Sequence, residues 1–259
     1  LAELTGAMRQ LRRSRAGGEL NVSTLASLLQ KWLLPRLPRL HDRHPGLELR
    51  IHTSRQVVDF AQSDFHAAIR MSPGPVEGLH SELLLEEWFV LVCSPALYRR
   101  HGPVRTGAEL KRYPLLRSSD EPWSLWRHPD LERDWKEQGT ALDDSVAVLL
   151  AAEQGQGLAL TRWCLAANDI RMGRLVQASP LAVRCPRDYW FVCPEAYLAL
   201  PKLQQLRAWL RAQAEEFKAA GGPGGPAGAE DARAGDTPAR IGARKAGTAR
   251  RAARRTAAR

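Results

Sequence analysis

The chain has 259 residues, a formal net charge of +10 and four cysteines. Its charge is uneven, because residues 220–259 carry nine Lys or Arg against three Asp or Glu and the preceding 219 residues carry a net charge of +4. This balance does not indicate a basic binding face on the folded part. No apolar run approaches the ~20 residues that cross a membrane, and no secretory signal is visible at the N-terminus.

The first residues have the pattern of the end of an amphipathic helix. Apolar residues from Leu1 to Leu11 are spaced as on one helical face, and Gly17-Gly18 ends the pattern. We expect residues 1–17 to be the end of a linker helix to another domain, or only a frayed terminal helix. Since the chain begins with Leu1 rather than Met, we also expect a missing upstream portion, through truncation or an incomplete gene model.

A strand and a helix are predicted next. Leu20–Val22 has the composition of a short strand, and Ser23 or Thr24 is expected to cap the following helix through its hydroxyl group. Apolar residues then recur at steps of three and four from Leu25 to Leu40, which indicates one wide apolar helix face.

The following elements complete a β-α-β-α-β order. Pro35 and Pro38 would kink or end the helix, and Leu47–Ile51 alternates like a strand. We expect a short helix at Gln56–Ala61 and a third strand at Phe65–Met71. Leu79–Cys93 reads as a strand pair or one bent strand. This order predicts a mostly parallel sheet with helices on both faces.

A second α/β unit follows from Ser94. Its predicted helices are Ala96–Arg100, Thr106–Arg112, Val146–Glu153 (capped by the Asp143-Asp144-Ser145 cluster) and Arg162–Asp169. Its predicted strands are Pro114–Arg117, Leu158–Leu160, Leu175–Val176 and Tyr189–Val192. An amphipathic helix at Leu203–Phe217 closes the folded part, and residues 220–259 have too little apolar bulk to fold, which predicts a disordered tail.

Five segments in the right order resemble the effector-binding domain of LysR-type transcriptional regulators, specifically the glycine-cleavage-activator-like branch. They are LNVSTLASLLQKWLLPRLPRLHDRHPGLELRI, VVDFAQSDFHAAIRMSPG, WFVLVCSPAL, AAEQGQGLALTRWCLAANDIRMGRLV and the C-terminal helix. The resemblance spans roughly Gly18 to Phe217. The winged helix-turn-helix that precedes this domain in the family would lie before Leu1.

The resemblance implies an α/β, two-lobed, type II periplasmic-binding-protein-like fold over residues 18–219. Lobe I would be 18–93 with 194–219, and lobe II would be 94–193. A small-molecule effector would bind between the lobes, near strand C-termini. The domain would form a homodimer or tetramer, with helix Leu25–Leu37 as the expected dimer surface, and would reach promoter DNA through the missing N-terminal domain. A solute-binding protein of transport type is the alternative.

Six residues are candidates for the effector site. Ser23 and Thr24 stand at the end of the first strand, Thr53 ends the second, and Arg70 follows the apolar Ala67-Ala68-Ile69 segment. Thr161 and Trp163 follow a strand of lobe II. A guanidinium at a strand end suits an anionic effector.

Each candidate has a purely structural alternative. Ser23 or Thr24 could only cap a helix, Arg70 could pair with Asp59 or Asp64, and Trp163 could be core of lobe II. For Thr53 the alternatives are a place on the cleft wall and a purely structural role at the end of its strand.

No catalytic, metal or cofactor constellation is visible in the sequence. The His41-x-x-His44 pair has no Cys or carboxylate at ligand spacing, so we expect no enzyme activity, metal or cofactor.

The four cysteines include no Cys-x-x-Cys pair and suit a reducing cytoplasm as small buried hydrophobic residues, with a Cys185–Cys193 redox pair as a minor alternative. Residues 237–259 hold eight basic residues and no acidic one. They would contact nucleic acid nonspecifically, or are only a solubilising or misannotated extension.

Overall fold

A computed structural model describes residues 19–126 and 141–224 of the chain. The expected linker helix at 1–17 and the basic tail at 237–259 lie outside these residues. No helix in the described ranges is long and apolar enough to cross a membrane.

The first sheet has five strands in the order β2-β1-β3-β11-β4. These are β1 (Leu20–Thr24), β2 (Leu49–Thr53), β3 (Ala67–Ser72), β4 (His80–Leu85) and β11 (Asp188–Cys193). β1 lies parallel to β2 and β3, whereas β11 is antiparallel to both β3 and β4. Two of its four strand pairings are therefore parallel, as the β-α-β order predicts. The other two are antiparallel because β11 returns from the far end of the chain and lies between β3 and β4, so the sheet is mixed rather than mostly parallel.

The second sheet is built around β5. It comprises β5 (Trp88–Cys93), β8 (Ala159–Arg162), β9 (Val176–Gln177) and β10 (Val183–Arg184), with the last three antiparallel to β5. A separate parallel pair is formed by β6 (Arg117–Ser118) and β7 (Ala141–Leu142). The predicted pattern over 79–93 resolves into two strands, β4 and β5, that belong to different sheets.

Two crossing segments join the sheets. The chain passes from the first sheet to the second at 86–87, between β4 and β5, and returns at 185–187, between β10 and β11. The chain therefore changes from one sheet to the other at 86–87 and at 185–187. The lobe bounds expected from the resemblance lie later in the chain, at 93 and 194. Alternation of apolar residues marks a strand but does not say which sheet receives it, and this accounts for the difference.

Helices cover the sheets. They are α1 (Ala26–Leu28), α2 (Leu37–Arg43), α3 (Pro95–His101), α4 (Gly107–Leu110), α5 (Ser145–Glu153), α6 (Trp163–Arg171) and α7 (Pro201–Ala219). A π-helical turn at Leu29–Leu33 and a 3-10 turn at Leu34–Arg36 make α1 and α2 one continuous helical segment, 26–43. A proline has no N–H to donate, so Pro38 cannot bond the carbonyl of Leu34, which instead accepts from the N–H of Leu37.

Two predicted local features are wrong. Ser23 and Thr24 do not cap the helix, because both lie inside β1 and the residue before α1 is Leu25, which makes no side-chain cap. Gln56–Ala61 is not helical: the carboxylate of Asp59 accepts the N–H groups of Ala61 and Gln62 and forms a turn there. By contrast, the predicted cap of α5 is confirmed, since Asp144 accepts the N–H groups of its first turn.

The largest apolar core lies where helical segment 26–43, α6 and α7 pack on the sheets. Trp32 is fully buried there and meets Phe217 edge to face, at 6.4 Å between ring centroids. Neighbouring residues have opposite surroundings: Leu33 is 3% exposed and Leu34 is 48% exposed. The irregular turns therefore keep one apolar face of the segment in the core.

The adjacent leucines test this orientation. Leu33→Ala should lower the free energy of unfolding by about 2–5 kcal/mol because it leaves a cavity, whereas Leu34→Ala should cost less than about 1 kcal/mol. Urea denaturation of both variants at one protein concentration measures the difference. Equal losses of unfolding free energy would contradict the orientation in which Leu33 is buried and Leu34 is exposed.

Candidate functional site

A cleft of about 880 Å³ separates the two sheets. The first-sheet side contributes Thr53, Arg70 and the loop after β2, and the second-sheet side contributes Asp120, Ser145 and Arg162. Its volume is in the range of small-molecule sites, and a position between two α/β units is a common place for such sites. The cleft is therefore the candidate ligand site.

Arg162 forms the buried floor of the cleft. It ends β8 and is only 5% exposed. Its guanidinium donates to Glu121 Oε1 at 2.8 Å and Ser145 Oγ at 2.9 Å on the second-sheet side. It also donates to Tyr189 Oη at 2.6 Å, in β11 of the first sheet. One side chain thus ties both sheets together beneath the cleft.

The charge of Arg162 is compensated within the protein. Burial by itself would lower the pKa of Arg162, but Tyr189 and Glu121 outweigh it and raise that pKa above its ordinary value. Glu121 is 2% exposed, and Ser118 Oγ donates to its second oxygen at 3.0 Å. Arg162 and Glu121 are therefore a satisfied buried ion pair with a structural role.

Arg70 lies in the cleft wall with a different environment. It is half-buried in β3, and its Nη2 donates to Ser23 Oγ at 2.5 Å. Its Nε is buried without a hydrogen-bond partner, and within the described residues no carboxylate lies within 4.0 Å of it. Burial lowers the pKa of Arg70.

The structural alternative for Arg70, a pair with Asp59 or Asp64, is not formed. The carboxylate of Asp59 instead accepts the N–H groups of its own turn, and the hydrogen bonds of the Arg70 guanidinium within the described residues go to Ser23 Oγ and the carbonyl of Ile69. Arg70 therefore presents a guanidinium without a counter-charge to the cleft.

The other predicted site residues are placed unevenly. Thr53 lines the cleft and is exposed, whereas Ser23 is fully buried behind Arg70. Thr24 in β1 and Thr161 in β8 are buried, and the hydroxyl group of each has no partner among the described residues. Trp163 lines a second depression next to Phe217 and is not brought together with the others.

A charge pair spans the mouth of the cleft. Arg55, in the loop after β2, lies 2.7 Å from Asp120 Oδ2 on the opposite side and also donates to the carbonyl of Asp143. Asp144, a further lining residue, is held by the N–H groups of Val146 and Ala147. These carboxylates already have donors, so they are not available to neutralise Arg70.

A buried carboxyl group marks the first crossing segment. Glu87 is fully buried, its N–H donates to Asp188 Oδ1 at 2.9 Å, and its Oε1 has no partner among the described residues. Burial raises its pKa to about 7. Glu87 thus joins the two crossing segments while carrying a carboxyl group that is easier to keep protonated than an exposed one.

The cysteines behave as small buried residues. All four are free and buried, and burial raises the pKa of the Cys193 thiol to about 11 and that of Cys93 to about 12. A thiol needs to form thiolate to react, so this setting does not support the minor alternative of a Cys185–Cys193 redox pair.

Sequence reasoning missed Arg162, Asp120 and Ser145. Arg162 carries the same signal that identified Arg70: a charged residue directly after an apolar strand segment, here Leu158-Ala159-Leu160-Thr161. It was assigned to the start of the next helix, which begins one residue later, at Trp163. No comparable local signal marks Asp120, which reaches the cleft through the fold.

Comparison with protein families gives a match over most of the chain. The family model described as "LysR substrate binding domain" matches residues 13–215. The Glycine cleavage system transcriptional activator of Escherichia coli (strain K12) is 33% identical over 215 residues, which cover 82% of this chain and 70% of that protein. The HTH-type transcriptional activator AmpR of Citrobacter koseri is 27% identical over 81% of this chain and 74% of its own length.

A solved structure supports the same assignment. The effector domain of the transcriptional regulator AmpR of Pseudomonas aeruginosa superposes with a TM-score of 0.65 at 27% identity. The match covers 78% of this chain and 98% of that domain. The two-lobed α/β fold predicted from the sequence is confirmed.

The Arg162–Glu121 pair gives a stability prediction. Glu121→Gln removes the counter-charge of a buried guanidinium and should cost about 3–5 kcal/mol of unfolding free energy. Glu216→Gln breaks an ion pair with Arg39 in which both side chains are more than half exposed, and it should cost much less than Glu121→Gln because solvent screens such a pair. Chemical denaturation compares the two, and a Glu121→Gln loss as small as the control would contradict the structural role.

Glu87 gives a pH prediction. Its pKa is raised to about 7 in the folded protein from 4.5, so the folded state holds this proton more tightly than the unfolded state. The stability that this proton provides is complete below about pH 4.5 and is lost as the pH rises to about 7, by on the order of 3 kcal/mol. Glu87→Gln should remove that part of the pH dependence in denaturation curves. Parallel wild-type and variant curves between pH 4.5 and 7.5 would contradict it.

Proposed function

The chain belongs to the LysR family of transcriptional regulators, as its substrate-binding domain, and from this we propose that its cleft binds an anionic effector through Arg70. A LysR substrate-binding domain senses a small molecule and modulates transcription; the family is one of regulators and not of enzymes. The transport-type reading is not favoured, since the relatives named above are regulators.

The uncompensated guanidinium of Arg70 is the observation that supports this proposal. Taking an arginine partly out of water is unfavourable unless hydrogen-bond acceptors or a counter-charge replace the lost solvent. Arg70 has Ser23 Oγ and a long 3.4 Å contact to the carbonyl of Ile69 as its protein acceptors. A ligand carboxylate would supply both the charge and acceptors for the remaining N–H groups.

The other arginines of the cleft do not compete for this role. Arg162 is paired with Glu121, and Arg55 is paired with Asp120. Arg187 also lines the cleft but is exposed, so water can solvate it. Arg70 is thus the half-buried cation whose environment a bound anion would improve most.

The proposed site uses three of the six sequence candidates. Arg70 is the anchor, Ser23 orients it, and Thr53 offers a hydroxyl group at the wall. Thr24 and Thr161 are buried and do not line the cleft, and their hydroxyl groups have no partner among the described residues. Trp163 is not part of the proposed site, because it faces the second depression.

Effector binding would act by favouring one arrangement of the two lobes. The cleft is bounded by both sheets, and Arg55–Asp120 spans its mouth. An effector that contacts both sides stabilises a closed arrangement by its difference in affinity for the open and closed forms. LysR regulators act as oligomers and bind promoter DNA. We propose that helix Leu25–Leu37 transmits this change to a partner copy in a dimer or tetramer.

Contact between residues 237–259 and nucleic acid stays a sequence-based prediction, because that segment lies outside the described residues. Its support is the run of basic residues without an acidic one.

Arg70→Gln tests the proposal. Calorimetry at constant ionic strength would compare acetate, hexanoate, benzoate and phosphate with acetamide, hexanamide and benzamide. Wild-type protein should bind at least one of these anions in preference to its neutral analogue, and Arg70→Gln should weaken that binding about 10- to 100-fold, the loss of a charge-assisted contact.

Arg99→Gln is the matched control, because Arg99 is an exposed residue of α3 and is not among the residues that line the cleft. It should bind like the wild type. Equal binding by Arg70→Gln and Arg99→Gln, or no preference for any anion in the wild type, would exclude Arg70 as the anchor.

A further inference from the structure

An apolar surface lies next to Arg70 in the cleft wall. Phe60, Ala68 and Val192 form a small buried cluster, against which Val58, Phe65, Val76, Leu79 and Trp190 are only partly buried. This cluster is separate from the two larger cores of the described residues. Six of its members line the cleft: Val58, Phe60, Ala68, Val76, Leu79 and Val192.

Val57 extends this surface into the cleft. Its side chain is 91% exposed, in the non-helical loop that follows β2, and it lines the same cleft. A scattered exposed apolar residue needs no explanation, but one that continues a partly buried apolar cluster at a ligand cleft does. The wall therefore presents partly exposed apolar side chains, against which the apolar part of a ligand could pack.

The distance between the cation and the apolar surface is set by β3. Ala68 and Arg70 are two residues apart in this strand, so their side chains project from the same face about 7 Å apart along the strand. Both line the cleft. A ligand that reaches both would have a carboxylate and a hydrocarbon body of roughly four to six carbon atoms.

The opposite wall disfavours a second negative charge on the ligand. Its charged lining groups are the carboxylates of Asp120 and Asp144 and the guanidinium of Arg162, which Glu121 already neutralises. Apolar Phe89 and Leu125 also line it. Asp120 is paired with Arg55, and Asp144 accepts the first N–H groups of α5. Neither carboxylate brings an unpaired cation that could bind a second negative charge of the ligand. A second ligand carboxylate would approach like charges, which is unfavourable.

From these placements we infer that the effector is a monocarboxylic acid with an apolar body, whose hydrocarbon part lies against Val57, Phe60 and Leu79 while its carboxylate pairs with Arg70. This inference rests on the proposed function, because it uses the same anchor. It adds the chemical class of the ligand and assigns Val57 and its loop a role in specificity.

A series of acids measures the apolar contribution. Calorimetry with acetate, butyrate and hexanoate should show wild-type affinity rising by up to about fourfold for each methylene buried. Adipate, which is hexanoate with a second carboxylate, should bind several times more weakly than hexanoate. Chain length changes only the apolar body, so the slope separates that contribution from the charge at Arg70.

Val57→Ser tests the loop without disturbing the core, because Val57 is almost fully exposed. It should weaken hexanoate binding several-fold and leave acetate binding unchanged. Met172→Ser is the control, since Met172 is also exposed (62%) and is not among the cleft-lining residues. Met172→Ser should bind acetate, butyrate and hexanoate with the wild-type affinities.

The two levels of the proposal fail differently. Acid binding could depend on Arg70 without rising from acetate to hexanoate, or adipate could bind as tightly as hexanoate. Either result would overturn the inference of an apolar monocarboxylic effector but not the role of Arg70 as the anchor. If Val57→Ser binds acetate, butyrate and hexanoate with the wild-type affinities, the loop after β2 is not part of the site. Acid binding that persists in Arg70→Gln, or no acid binding at all, would overturn the anchor and this inference with it.

Discussion

The buried guanidinium of Arg162 is the interaction on which the arrangement of the two sheets depends. A cation that is 5% exposed requires a counter-charge and hydrogen-bond acceptors around it. Glu121 supplies the counter-charge and Ser145 supplies an acceptor from one side, and the hydroxyl group of Tyr189 supplies an acceptor from the strand that returns to the first sheet. The chain positions these groups only when both sheets are assembled, so the floor of the cleft and the relative placement of its walls form together.

Two arginines that follow apolar strand residues have different surroundings: Arg162 ends β8, whereas Arg70 lies inside β3. Arg162 is satisfied by the protein and acts as a structural tie, whereas Arg70 is half-buried with Ser23 as its main acceptor. The first arrangement leaves no unpaired charge at the floor of the cleft. The second leaves a guanidinium without a counter-charge among the described residues, which is the basis of the proposed anion site. Glu87, buried at the crossing segment nearby, adds a proton-dependent element to the same junction.

Much of the fold could be predicted from local pattern. Period-two alternation identified β2, apolar composition located most of the other strands, and amphipathic spacing identified the helical segments that follow Leu25 and Leu203. The Asp143-Asp144-Ser145 cluster was correctly assigned as a cap. The helix at Gln56–Ala61 was wrong because the Asp59 side chain provides its own turn, and the Ser23 cap was wrong because pairing with β2 and β3 extends β1 by two residues. Within the candidate site, Arg70 was found from its position after an apolar strand, while Arg162 was assigned to the neighbouring helix.

The amino-acid sequence by itself determined the order of the elements, the two α/β units, the family likeness and a cation directly after the apolar residues of β3, since each depends on residues close together in the chain. Only the tertiary structure decided which sheet receives β5 and β11, which arginine is neutralised, and that Trp163 faces away from the cleft. These depend on contacts between distant segments: Arg162 meets Glu121 across 41 positions and Arg70 meets Ser23 across 47. Strand pairing and desolvation select such contacts, and no local pattern records them.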